Sequence, residues 1–475
     1  MISGPTKAAR RRLLLFWLAC AAYVVATGLV IQLFLLPRVF PSWDTGNGLL
    51  VRTDSPRFHR LAVEMADRIR DQGWSAWELR PEGQAPAGMA AIFYAVGPAQ
   101  PWVLLPLNAV LHATAAALLV AILQRLVRDD RWAMLAAVPF VIFPSALRWT
   151  AQIHKDGVTI LGFTMFAYAL LLVGDPSSWY PRWRRGLQAL LLVFLGMGLT
   201  WAYRSYMSLM LQIVGLAAMG IVVPHLLMAA RRRTIPASRA WIAAALGVGL
   251  LGATTVFSRS GIGQAGLSDD DLPPQAASSR QRVAWQTEPW MPEPLNQVLR
   301  SVANRRHGLL TGYSEAGSNI DVDVDFRSYA DILAYLPRAM QIGLTAPFPS
   351  EWLAPGTLPS TTLMRRAAIP EMTIVYAAWL ILPLAIWRWR RIVDLWILLV
   401  LNLGMLAGYA LVVANIGTLY RMRYPFVMLL VGISLAAVAA WLDERTRKRK
   451  TLPVNLPGPT ASGPISAAHD AGREA

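Results

Sequence analysis

The sequence predicts an all-α polytopic membrane protein of about ten transmembrane helices, with two long polar regions on one face. Three observations carry this prediction. Of 475 residues, 55% are hydrophobic and only 15% charged. Apolar stretches of about 18–24 residues recur along the chain, each long enough to cross a bilayer. Every second connection between them is basic, as the positive-inside bias requires.

The spans fall at roughly 13–36, 101–127, 132–147, 156–173, 187–203, 206–228, 240–257, 372–387, 393–414 and 424–441. The first is too long for a secretory signal and lacks a small-residue cleavage site, so it reads as a retained span. Lys7, Arg10, Arg11 and Arg12 then lie in the cytoplasm. So do Arg125–Arg131, Arg182–Arg185, Arg231–Arg233, Arg388–Arg391 and Arg445–Lys450. Pro86–Gly97 is apolar but too short to cross, and reads as a half-helix in or against the outer leaflet. A full crossing there would put the basic loops on the opposite face. The chain divides into an N-terminal membrane module (1–257) with a first extracytoplasmic loop (37–100), a large second loop (258–371), C-terminal helices (372–441) and a cytoplasmic tail (442–475). The tail is rich in Pro, Ala, Ser and Gly and is expected to be disordered. The single Cys20 excludes an internal disulfide and a cysteine-based metal site.

The formal charge of +17 is mostly arginine, and Lys155 is the sole lysine outside the two tails. Four cationic clusters land on the outer face, where Lys and Arg are normally sparse near span ends. They are Arg148 with Lys155, Arg204, Arg365 with Arg366, and Arg421 with Arg423. Any one of them could be snorkelling to the water boundary. Together they point to an anionic lipid head group or phosphate as ligand. In Pro144–Gly157, Lys155 supplies a compact charge that Asp156 can hold or neutralise. Tyr203-Arg204-Ser205-Tyr206 forms the next outer turn, and Asn415–Pro425 the last, with arginines two apart that can grip phosphate by forked hydrogen bonds.

The first loop holds the candidate base. Asp54-Ser55-Pro56-Arg57-Phe58-His59-Arg60-Leu61-Ala62 opens an amphipathic helix: Ser55 can cap it, Pro56 suits its first position, and Phe58, Leu61, Ala62, Met65 and Ile69 recur at helical spacing. Its charge places it in the interface. Asp54 there either acts as a general base or only balances the helix dipole. His59, His154, Tyr206, Asn415 and Tyr420 are candidate sugar or acceptor contacts; Trp43, Trp74 and Trp77 either stack on sugar or anchor the interface. No Gly-rich phosphate loop, zinc-type HExxH helix or Gly-x-Ser-x-Gly elbow occurs. The run Asp321, Asp323, Asp325 could hold a divalent cation, but its alternation with valine favours a half-exposed strand. No metal or cofactor is otherwise indicated.

The arrangement resembles the GT-C superfamily of polyprenyl-phosphate-sugar-dependent glycosyltransferases, particularly bacterial protein O-mannosyltransferases and aminoarabinose transferases. The likeness covers span one, DSPRFHRLA from Asp54, APAGMAAIFYAVG from Ala85 and PWVLLPLNAVLHATAAALL from Pro101. PSALRWTAQIHKDG and NIGTLYRMRYPF look like pieces of related bacterial polysaccharide membrane proteins. The resemblance implies a GT-C-like fold whose first extracytoplasmic loop carries the catalytic aspartate, a role that falls to Asp54, with Asp44 as the weaker candidate. Family members often carry Lys before the Pro that opens the short helix, whereas here Ala85 precedes Pro86. A phosphate contact must then come from Arg148, Lys155, Arg204, Arg421 or Arg423, with Asp156 beside them.

The expected function is inverting transfer of a sugar from a polyprenyl-phosphate donor to a glycan, lipid or protein acceptor. The site would lie on the periplasmic face of a bacterial inner membrane, in building cell-envelope polysaccharide. Membrane lipid is a partner and nucleic acid is not. An O-antigen-type polymerase or ligase would need the same outer arginines and large loop. A flippase for an anionic lipid would need ionisable groups deep in the bilayer and broken helices, whereas the expected span centres are nearly free of charge.

Overall fold

The computed structural model describes residues 7–451 apart from 52, 128, 175–181, 315–316, 357–358 and most of 233–282. Among the described residues the secondary structure is helical, with no β-strand and two isolated bridges, Asp44–Leu50 and Asn319–Asn415. Eight helices are long and apolar enough to cross a membrane, the signature of a multi-pass membrane protein, and a bent ninth pair passes the same test. The expected span at 240–257 lies mostly outside the described residues.

Helix α1 (Lys7–Val30) runs on as a π-helical stretch, Ile31–Val39, that contains Pro37. The wider turn aims Gln32 inward, where its amide donates to the Ala151 carbonyl at 2.6 Å. Two short helices follow, α2 (Ser55–Gln72) and α3 (Ala85–Val96). Phe58, Leu61 and Ala62 of α2 pack on Ala87, Ala90 and Tyr94 of α3. That apolar face explains the helical spacing read from the sequence.

The chain then continues through α4 (Leu105–Leu123), α5 (Asp130–Ile142), α6 (Leu147–Thr150), α7 (Asp156–Gly174), α8 (Arg182–Tyr203) and α9 (Ser205–Arg231). Residues 132–147, expected as one straight span, bend by 54° between Ile142 and Pro144. Pro144 cannot donate to the helix ladder, so the helix breaks there. The break lets Arg148 and Thr150 turn across the top of the bundle. Helices α7 and α8 cross through paired glycines: a Cβ on Gly162 would meet the Gly196 carbonyl at 2.7 Å, and one on Gly196 the Gly162 carbonyl at 2.6 Å. Small residues permit such close approach in membrane bundles.

Within the second loop, α10 (Glu293–Gly312), α11 (Tyr329–Thr345) and α12 (Pro349–Trp352) are ordered against the bundle. Ser328 and Asp331 cap the start of α11 reciprocally. The strand expected over Asp321–Asp325 is a turn instead, with Asp321 at φ 51°. Buried Arg306 donates to the carbonyls of Asp321 at 2.9 Å and Val324 at 3.1 Å. A side chain therefore takes the carbonyls that a neighbouring strand would have paired.

The last helices are α13 (Pro359–Trp389), α14 (Val393–Val412), α15 (Ile416–Met422) and α16 (Tyr424–Thr451). Helix α13 begins well before residue 372, where its apolar run starts. Arg365, Arg366 and Glu371 are therefore helical, and the large loop is correspondingly shorter. At the end of the bundle away from α2 and α3, Arg12 pairs with Asp130 at 2.7 Å, Arg125 with Asp394 at 2.9 Å, and Arg388 with Glu444. The candidate site lies at the opposite end.

Candidate functional site

Turns far apart in the sequence converge on one cavity of about 530 Å³. Its floor is organised by Asp156, the first residue of α7. One carboxylate oxygen takes Arg204 Nη2 at 2.9 Å. The other faces His154 Nδ1 at 2.5 Å and Arg421 Nε at 3.4 Å. A helix N-terminus favours a carboxylate, and a carboxylate whose side chain is only 2% exposed needs charged partners. Each partner comes from a different segment: Arg204 from the break between α8 and α9, His154 from the turn after α6, and Arg421 from α15.

Arg421 Nη1 also meets His154 Nε2 at 2.6 Å. A guanidinium only donates, so Nε2 accepts from it, while Nδ1 lies 3.1 Å from the Lys155 backbone N–H and 2.5 Å from Asp156. Burial and the Arg421 charge lower the His154 pKa against the upward pull of Asp156. The imidazole is thus a neutral bridge between an acid and a guanidinium.

Around this floor stand Lys155, whose ammonium lies 5.8 Å over the Phe58 ring, and Arg148. Arg148 is within electrostatic reach of Arg421, Asp156, Tyr420 and Asp54, yet it forms no hydrogen bond or ion pair with the described residues. Its donors face the cavity. Asp54 sits at the mouth as the N-cap residue of α2, with its side chain 59% exposed and 4.0 Å from Arg421 Nη1. Its carboxylate makes no capping hydrogen bond. Ser55, expected as the cap, instead donates its hydroxyl to the Ile153 carbonyl at 3.0 Å and pins α2 to the turn that carries His154.

Among the described residues the cavity wall includes six cationic side chains, Arg57, Arg148, Lys155, Arg204, Arg305 and Arg421, and one carboxylate, Asp54. Away from them the wall turns apolar: Leu209, Ile213 and Val214 of α9, Val298 and Val302 of α10, and Val412 of α14. The large loop closes one side. Ile320 N–H donates to the Ala414 carbonyl and Ile416 N–H to the Ser318 carbonyl, both at 2.9 Å. The resulting space is amphiphilic, lined by both cationic and apolar side chains.

Several other expected residues stand elsewhere. Asp44 accepts from the Gly46 and Gly48 N–H groups at 3.0 and 2.9 Å, holding its own turn rather than the cavity. His59 lies between Asn47 and Tyr94, at 3.3 and 3.0 Å, away from the wall. Arg423 is buried outside it and donates to the carbonyls of Ile342 at 3.2 Å, Gly343 at 2.5 Å and Ala346, closing the last turn of α11. Burial lowers its pKa to about 10. Tyr420 is turned away to donate to Glu371. Arg365 reaches the Pro355 carbonyl at 3.2 Å. Trp43 stacks on Phe40 at 4.5 Å, Trp77 donates to the Gly88 carbonyl at 2.9 Å, and Trp74 is exposed. Tyr206 and Asn415 do line the cavity. Asn415 also caps α15 by accepting from Thr418 N–H at 3.0 Å.

Sequence reasoning missed Arg57, Arg305, Gln84 and Asn319 in the wall, and Glu371 behind it. Glu371 had one available signal, an acid at the edge of an apolar run. Arg305 sits in an amphipathic helix beside Arg300 and Arg306, so nothing in the sequence marked it out. Among the described residues no group of three or more His, Cys, Asp or Glu side chains is placed to hold a metal ion. No protein-family model matches the chain, and neither a curated protein nor a solved structure matches it.

Proposed function

We propose that this protein is a glycosyltransferase that takes a sugar from a polyprenyl-phosphate donor and passes it to an acceptor hydroxyl at the outer face of the membrane. The observation that carries the reading is the cavity itself: cationic and apolar side chains line one space, with the exposed carboxylate of Asp54 at its mouth. A phosphate tied to a long hydrocarbon has that same two-part character. On this reading Arg148, Lys155 and Arg421 meet the phosphate, while Asp156, Arg204 and His154 hold Arg421 in place. The lipid chain runs along the Leu209–Val214 wall.

Asp54 is the general base. It takes the proton from the acceptor hydroxyl as that oxygen attacks the anomeric carbon. The glycosidic bond to the phosphate breaks, and its electron pair leaves with the phosphate oxygen. The arginines and Lys155 stabilise that charge as it develops, the electrostatic part of catalysis. The attack inverts the anomeric centre. Unlike Asp156, Asp54 is not enclosed by fixed partners, so it can accept and release a proton each turnover.

The test is transfer by the purified protein in nanodiscs, offered a panel of radiolabelled polyprenyl-phosphate sugars and acceptor extracts. Wild type releases the sugar from one donor, and Asp54→Asn abolishes transfer while still binding the lipid. Transfer that survives Asp54→Asn overturns the base assignment. Transfer seen only with lipid-diphosphate-linked glycans moves the assignment to a polymerase or ligase. Binding without transfer of any donor favours a flippase.

A further inference from the structure

Glu371 of α13 lies behind the cavity wall, 3% exposed, and touches both segments that carry cavity arginines. One carboxylate oxygen accepts from the Ser145 N–H at 2.5 Å, and the other accepts from the Tyr420 hydroxyl. Ser145 stands one short turn before Arg148, and Tyr420 immediately precedes Arg421. Arg148 and Arg421 repel each other across the cavity. Asp156 faces Arg421 at 3.4 Å from the cavity side, and the Glu371 bridge restrains both segments from behind the wall. The phenol is well suited to that task, since burial and the neighbouring carboxylate push Tyr420 well above its ordinary pKa and keep its proton in place. Met372, Val375 and Tyr424 enclose the pair with little free space.

We infer that Glu371 is a positioning residue: bridged to Ser145 and Tyr420, it sets the separation of Arg148 and Arg421 so that both reach one phosphate. The inference rests on the phosphate reading above and adds a residue that never touches the ligand. It also accounts for an acid placed within a helix long and apolar enough to cross a membrane, where charge is costly unless it has a function.

The test is binding of decaprenyl phosphate to the full chain in nanodiscs, for wild type, Glu371→Gln, Tyr420→Phe, Arg148→Ala and the two doubles with Arg148→Ala. Glu371→Gln puts an amide N–H where one donor must be accepted, and Tyr420→Phe removes the other donor. Each single variant is expected to weaken binding about tenfold, the loss of one charge-assisted hydrogen bond. With Arg148 already removed, the same changes are expected to weaken binding less than about threefold, because they act through that arginine. A merely structural role gives additive losses and overturns the inference, as does unchanged affinity in both single variants. Wild type that binds no phosphate lipid overturns this inference and the phosphate reading together. Wild type that binds while Glu371→Gln and Tyr420→Phe bind equally well overturns only the inference.

Discussion

Asp156 contacts three partners, Arg204, His154 and Arg421, and His154 is the partner whose charge can change near neutral pH. Its folded pKa is lowered by burial and by Arg421, with Asp156 pulling the other way. An unfolded histidine titrates near about 6.5. Below that pH the unfolded chain takes up a proton that the folded chain resists, so stability is full above it and lost as pH falls. We expect the thermal midpoint to drop between about pH 7.5 and 5.5, and His154→Gln to flatten that slope. His59, also lowered by burial, contributes the same sign. A slope unchanged in His154→Gln contradicts the neutral bridge.

The arginines show what single residues could and could not disclose in the sequence. The cations expected at the outer span ends were legible as a group, and Arg148, Lys155, Arg204 and Arg421 do line one cavity. Arg423 was indistinguishable from Arg421 by spacing, yet it closes the end of α11. Arg80 does the same for α8, donating to the Ala202 carbonyl at 2.9 Å and to Trp201, whose ring it covers. Arg70 reaches the last carbonyls of α3, at Tyr94 and Gly97. A cation at a helix C-terminus is favoured by the dipole and by orphan carbonyls. Which job an arginine takes depends on the tertiary neighbour, and composition does not encode that.

At the scale of elements, α2 was legible because its apolar period matches a helix, and α7 because its apolar run starts and stops sharply. The π-helical end of α1 was not, since nothing in IQLFLLPRV except Pro37 disturbs a helical reading. The early start of α13 was hidden by Arg365 and Arg366, which interrupt the apolar run without breaking the helix. The α7–α8 crossing was hidden too, because glycines within apolar runs carry no address. That crossing sets the distance between Asp156 at the head of α7 and Arg204 just past the end of α8. Gly162→Leu is therefore expected to lower stability by about 1–3 kcal/mol through overpacking, read as a drop in thermal midpoint. Gly198→Leu, with nothing within 4 Å of its Cβ position, is expected to be near neutral. Equal effects of the two substitutions would contradict the tight crossing.

At the scale of the whole molecule, the two ends of the bundle differ in kind. One carries separate ion pairs such as Arg125–Asp394; the other gathers six cationic side chains around one cavity. The alternation of basic loops set an expectation for the sides, but the convergence needed the helices in place, because α2, α6, α10 and α15 supply it from distant parts of the chain. If the cavity faces outward, an impermeant maleimide labels Thr45→Cys in intact cells and Arg391→Cys only after permeabilisation. The native Cys20 is buried and gives a quiet background. Labelling in the reverse order contradicts the orientation.

The most direct measurement is a cryo-electron microscopy map of the protein in nanodiscs with bound decaprenyl phosphate. We expect phosphate density within hydrogen-bond reach of Arg148 and Arg421, with chain density along Leu209, Ile213 and Val214. Phosphate density elsewhere, or an empty cavity at saturating lipid, would contradict the assignment of this cavity as a lipid-phosphate site.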